Sequence, residues 1–269
     1  MVELFEKDLK DDGRKSSKGN QLKWENGGVW YKADYTGYEG LSEYIVSGLL
    51  ASSSLTAGEF VEYSLETIKY RSQVFNGCKS RDYSGGWQVI TLERLFKNNY
   101  GTSLNSGIYA IEDHTERLRY LVNQVERATG LKDFGKYMSK MLTIDAVFLN
   151  EDRHTHNISI LWNGYDKYRL CPFYDHGAAL LSDATLDYPI GFDIFTNLDE
   201  VRAKTICTSF DEQVEIAESL YGRNITFSWG NKEVDRLLSG AGIYSTEIIS
   251  RVRDLLSERR RKYSYLFVR

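Results

Sequence analysis

Three oxygen-bearing side chains stand at fixed spacing in residues 141–181, MLTIDAVFLNEDRHTHNISILWNGYDKYRLCPFYDHGAALL: Asp152, Asn157 five residues on, and Asp175. A carboxylate can take the proton of a hydroxyl, while an amide oxygen and a second carboxylate suit a hard divalent cation. Magnesium takes oxygen ligands and draws only one or two from protein, leaving the rest to water and phosphates. Acid, amide and acid are therefore the groups that phosphoryl transfer needs. Between them, residues 158–162 alternate with β-favouring side chains, Asn163-Gly164 is a hairpin signal, and residues 168–170 read as the returning strand. A hairpin folds its ends together, so it is expected to carry Asp175 back beside Asp152 and Asn157.

The order of these groups follows the protein-kinase pattern. There one Asp faces the attacking hydroxyl, an Asn five residues on holds metal, and so does an Asp beyond the next hairpin. The run LNEDRHTHNISIL, with CPFYDHG after it, resembles the catalytic and metal-binding loops of HipA-like bacterial serine/threonine kinases. Those enzymes are distant relatives of phosphatidylinositol kinases, whose motif also reads DRHxxN. The resemblance implies an ATP- and magnesium-dependent phosphotransferase acting on Ser/Thr hydroxyls. Asp152 would be its base, Asn157 and Asp175 its metal ligands, and His154, beside Arg153, a residue that positions the loop. It implies an α+β, two-lobed protein-kinase-like fold in a single domain spanning 1–269, with a small β-rich N-lobe (about 1–85) and a mainly helical C-lobe (about 86–269). Longer HipA-type toxins carry an extra amino-terminal subdomain; this chain starts close to the loop serine, so the short form is expected. ATP, a protein substrate and an antitoxin-type regulator are the partners implied, with no direct nucleic-acid contact and no membrane.

The elements that must position these groups come earlier. Residues 13–19, GRKSSKG, are small and basic, and their backbone amides could cradle phosphates, although alone they read as a flexible surface segment. Ser16, Gly19, Gln21 and Lys23 match in order and spacing the nucleotide loop of HipA-like kinases, and Ser17 lies in the same loop. In that family the loop serine can be autophosphorylated, which ejects the loop and silences the enzyme; here that serine is Ser16. A hairpin about Asn26-Gly27-Gly28 follows, and Trp30 and Lys32 share a face of its second strand.

A helix over 41–51 carries an apolar stripe with Glu43 off it, on a row with Val46 and Leu50. A carboxylate on such a row needs a cation, which a Lys32–Glu43 pair supplies. The pattern alone leaves an exposed glutamate and a solvated edge lysine equally open; the family's lysine-strand, glutamate-helix order implies the pair. Residues 60–63 and 74–75 read as further strands, and 76–83 (NGCKSRDY) as a turn-rich hinge offering Cys78 and Lys79 to the nucleotide base. The lobe boundary is placed at 83–90 by order alone.

Beyond Thr91 the pattern turns helical. A helix opens at Thr115 and stops at Gly130, and a second, over 134–149, sets Asp145 on its buried face, where it would support the catalytic loop. Ser209 opens a capping box with Glu212, and the final amphipathic helix ends in 259–262, RRRK, read as a solvated helix end. His154 and His156 also have metal-ligand spacing, and with Asp175 and His176 they suggest a zinc hydrolase as a rival. Residues 177–195 hold acids but no Lys or Arg, which favours a protein or neutral acceptor over an anionic lipid headgroup. A phosphoinositide or other small-molecule kinase, and a catalytically inactive kinase-fold binding module, remain as alternatives.

Composition narrows the rest. A net charge of −4 and a pI near 5.7 supply no overall basic field for nucleic acid or anionic lipid. The three cysteines form no disulfide framework and no zinc spacing, which fits a reducing bacterial cytoplasm. The charged start, MVELFEKDLKDDGRK, contains no secretory apolar region.

Overall fold

A computed structural model describes residues 1–10 and 21–268. Ser16, Ser17 and Gly19 of the expected nucleotide loop lie outside the described residues. In chain order the elements are β1 (Val2–Leu4), β2 (Lys23–Asn26), β3 (Val29–Ala33), α1 (Glu39–Leu50), β4 (Ser64–Tyr70), β5 (Gln73–Arg81) and β6 (Gln88–Thr91). Then come α2 (Leu92–Tyr100), α3 (Leu104–Tyr109), α4 (His114–Thr129), α5 (Phe134–Phe148), β7 (Ser159–Trp162) and β8 (Tyr168–Leu170). The last four are α6 (Ile194–Glu200), α7 (Phe210–Tyr221), α8 (Asn231–Ser239) and α9 (Thr246–Lys262). Among the described residues no helix is long and apolar enough to cross a membrane.

The chain divides into two compact units. One joins Met1–Tyr83, Tyr174–Val201 and Thr226–Arg269; the other joins Ser84–Phe173 and Arg202–Ile225. They are therefore not the contiguous spans 1–85 and 86–269. The carboxy-terminal segment belongs to the first unit because Phe227 bridges Ser53 and the backbone near Phe267, and because Leu237 of α8 seats on α1 where Gly48 has no side chain.

The first unit is built on a sheet of order β1-β4-β5-β3-β2, antiparallel except for β1 along β4. Gly27 and Gly28 take positive φ (61° and 78°) in a two-residue hairpin turn, as their sequence signal requires. One sheet face buries Leu4, Trp24, Ala33, Ile68 and Tyr70. At the approach of α1, a Cβ on Gly40 would lie 2.6 Å from the backbone of Gly77, and one on Gly77 would lie 2.1 Å from the Lys32 carbonyl. Two glycines thus let helix and strand close to backbone contact.

Two expectations change here. Residues 60–63 are not a strand; β4 begins at Ser64. Residues 76–81 are not a turn but the second half of β5, where Cys78 pairs with Leu65 and Lys32 and Lys79 pairs with Ser64 and Tyr31. Gly77 reads as a turn residue, yet it is extended and serves close packing.

In the second unit β7 and β8 form the expected hairpin, Ile160 opposite Leu170 and Trp162 opposite Tyr168, and β6 adds a third strand beside β7. The connection is longer than a two-residue turn, because the Asn163 side-chain oxygen accepts the N–H groups of Tyr165, Asp166 and Lys167. The helix expected from Thr115 begins one residue earlier, capped by Asp113. α5 is buried along nearly its whole length, and Gly135 leaves room for Tyr221 of α7. Its chain leaves through Leu149 in a left-handed conformation (φ 59°), which turns it sharply into the segment carrying Asp152.

Candidate active site

In the first unit, Lys32 projects from β3 to two carboxylates. Its Nζ lies 2.5 Å from Glu43 Oε1 and 2.9 Å from Asp175 Oδ1. Glu43 is fully buried on α1, and its other oxygen accepts the His176 N–H at 2.8 Å. Asp175 takes φ 62°, an uncommon conformation for a residue with a side chain that short polar residues tolerate best. Burial works against the Lys32 charge, but Asp175 and then Glu43 hold the ammonium well above its ordinary value. Tyr63 lies 5.4 Å beneath the ammonium; sequence reasoning missed it, since nothing in 60–63 points to a cation. The segment after Asp175 is strapped to α1: the Ser42 hydroxyl donates to the carbonyls of His176 (2.8 Å) and Ala179 (3.0 Å), and Tyr38 donates to Leu180 (2.7 Å).

Lys23 stands directly across from Lys32 on neighbouring strands, so the two cations share a face. Like charges in that position are unfavourable without an anion between them. Gln21, just before β2, is half-buried. Cys78 is wholly buried against Val61 and Tyr63, and Lys79 is paired with Glu66 at 2.9 Å. Both have their backbones engaged on both sides by β3 and β4, so neither offers the hinge edge expected of it. Tyr31, Phe60, Tyr63, Lys79 and Tyr83 help line a cavity of about 540 Å³.

In the second unit, Asp152, His154 and Asn157 come together in one tight loop. The Asn157 side-chain N–H donates to the Asp152 carbonyl (2.8 Å) and to its Oδ2 (3.0 Å). This fixes the amide with its oxygen turned away from Asp152. His154 Nε2 lies 3.5 Å from Asp152 Oδ1. Burial lowers the His154 pKa, against the pull of Asp152 and with the help of His156, so the ring favours its neutral form. His156 packs edge-on against His154, ring centroids 5.6 Å apart.

Arg153 anchors the loop. Its guanidinium, 2% exposed, reaches both oxygens of buried Asp145 (3.0 and 3.2 Å) and the Asn157 carbonyl (3.0 Å). Asn150 adds a 2.8 Å bond to Asp145, and Thr205 donates to the Arg153 carbonyl at 2.7 Å. Burial pushes the Asp145 carboxyl up, and Arg153 and Asn150 work against that. Asp145 thus supports the loop from α5, as its place on the buried face suggested.

No family model matches the sequence, and no curated protein does. Among solved structures, the proinflammatory kinase CtkA of Helicobacter pylori superposes over 96% of this chain and 94% of its own, with a TM-score of 0.62 and 16% identity. The fold is kinase-like. HipA of Shewanella oneidensis MR-1, solved with HipB and operator DNA, aligns over 94% of this chain and 62% of its own at a TM-score of 0.43 and 12% identity. The kinase fold accounts for an α+β chain whose first unit carries a curled sheet and whose second is mainly helical.

Proposed function

We propose that this protein is an ATP- and magnesium-dependent kinase that transfers a phosphoryl group to serine or threonine hydroxyls of a protein substrate. The observation that carries this reading is the half-buried Lys32 ammonium, held by Glu43 at 2.5 Å and by Asp175 at 2.9 Å. An ammonium has three donors, so two carboxylates leave one donor for a nucleotide phosphate. Lys23, opposite Lys32, adds a second cation to the face on which a phosphate would relieve their repulsion.

Asp152 is assigned as the base for the acceptor hydroxyl, with Asn157 and neutral His154 fixing its carboxylate. The Asn157 amide oxygen and the Asp175 carboxylate are hard donors that fit magnesium, and they are the proposed ligands. Magnesium, when bound, neutralises phosphate charge. Residues 177–195 contain acids and no Lys or Arg, which favours a protein acceptor over an anionic lipid headgroup. By the resemblance of its loop, Ser16 is the proposed autophosphorylation site, and an antitoxin-type regulator belongs to the same reading.

The test is purified protein incubated with ATP and magnesium, with mass spectrometry of its own peptides and of a protein extract, beside vesicles containing phosphoinositide. Phosphate on Ser16 or on extract proteins supports the reading. Phosphate on lipid alone moves the protein to the small-molecule class, and no transfer together with no magnesium-dependent stabilisation by ATP makes it a binding module.

A further inference from the structure

Away from the loops discussed above, three donors of different chemistry meet in the second unit. His114 is the first residue of α4, Cys207 lies in the loop before α7, and Glu212 is in the first turn of α7. One ligand atom from each lies within 4.8 Å of the others. His114 Nδ1 is 2.6 Å from Glu212 Oε1, and Cys207 is buried while the other two are half-exposed. We infer that His114, Cys207 and Glu212 bind a zinc ion.

The residue types carry the choice of metal. Thiolate, imidazole and carboxylate are the ligands of zinc, at about 2.3, 2.0–2.1 and 2.0–2.2 Å. A thiolate selects against magnesium and calcium. Tetrahedral geometry at those lengths separates ligand atoms by roughly 3.3–3.6 Å. The imidazole and carboxylate must therefore open slightly from 2.6 Å, and the thiol must close from at most 4.8 Å, which side-chain rotations can achieve.

The frame around the site is already set. The Ile206 N–H donates to Gln213 Oε1 (2.8 Å), Arg117 donates to the Ile206 carbonyl (2.8 Å), and Ala203 donates to the Thr208 carbonyl (3.0 Å). These bonds hold the loop on either side of Cys207. Ser209 and Glu212 have capping-box spacing, and Ser209 does cap α7, but the Glu212 carboxylate turns to His114. Burial pushes the free Cys207 thiol up to about 11, so it is no nucleophile at neutral pH. A metal would deprotonate it on binding, as coordinating thiols are. Before metal binds, Ser209 and Arg117 work against that rise and the Glu212 carboxylate adds to it. Three protein ligands leave the fourth position to water or to an added ligand.

Cobalt(II) is the probe, because a thiolate ligand gives it a sulfur-to-metal charge-transfer band. Titration of the metal-free full chain should raise that band to saturation at one equivalent, and zinc should bleach it. Cys207→Ser should abolish the band, and Glu212→Gln should weaken cobalt binding by about tenfold or more. No saturable band in the wild type, or a band that survives Cys207→Ser, overturns the site. If Cys207→Ser fails to fold by circular dichroism, Glu212→Gln decides: weakened binding supports the site, and unchanged affinity overturns it.

Discussion

Lys32 of β3 and Glu43 of α1 meet at 2.5 Å inside the first unit, beside the point where Gly40 of α1 packs on Gly77 of β5. A charge pair so deep offsets its desolvation only with further bonds, which Asp175 supplies to the lysine and the His176 N–H to the glutamate.

Removing one partner should therefore cost more than removing both. Lys32→Met leaves Glu43 buried without a cation, and a loss of about 3–5 kcal/mol in urea unfolding is expected. Adding Glu43→Leu should restore much of it. A single variant within about 0.5 kcal/mol of wild type would show that the pair carries no such burden.

The loop anchored by Arg153 should behave in the same way. Arg153→Met strands Asp145, 1% exposed, beside Asn150 alone, so the expected loss is again about 3–5 kcal/mol. Asp145→Asn/Arg153→Met should be the more stable of the two. An Arg153→Met protein as stable as wild type would remove the anchoring role.

Asp34 gives a pH signature. Burial, with Glu39 adding, pushes its carboxyl from 3.8 up to about 7, against bonds from the Gly40 N–H and the Tyr244 hydroxyl. The folded pKa is raised, so this group's contribution is present at low pH and is lost as pH rises towards the folded value. Between about pH 5 and pH 8 the wild type should lose on the order of 2 kcal/mol that Asp34→Asn does not. Urea unfolding of both proteins at the two pH values checks this, and a constant difference between them would contradict it.

The assigned base makes a kinetic prediction. Asp152→Ala should slow transfer roughly 10²- to 10⁴-fold while magnesium-ATP still raises the melting temperature. His154→Asn should cost less, since His154 touches Asp152 only at 3.5 Å. Equal rates for wild type and Asp152→Ala would move the base elsewhere.

The two clusters were legible because their signals are local. Spacing sets Asp152 and Asn157 in one loop, whereas strand and helix periods placed Lys32 and Glu43 on their elements without deciding that they pair. Cys78 and Lys79 were misread because Asn76-Gly77 resembles a turn, whereas Gly77 is needed for the approach of α1 to β5. The pairing of Val2–Leu4 with Ile68–Tyr70, and the membership of α8 and α9 in the first unit, depend on contacts far apart in sequence, and no short pattern records them. Tyr63, under the Lys32 ammonium, belongs to the same class.

The most direct measurement is incorporation of labelled γ-phosphate from ATP and magnesium into protein serine or threonine, comparing wild type with Asp152→Ala and Asp175→Ala. The account predicts transfer by the wild type, loss of transfer in both variants, and loss of metal-dependent nucleotide binding in Asp175→Ala alone. Undiminished transfer by either variant, or none by a folded wild type that binds magnesium-ATP, would contradict it.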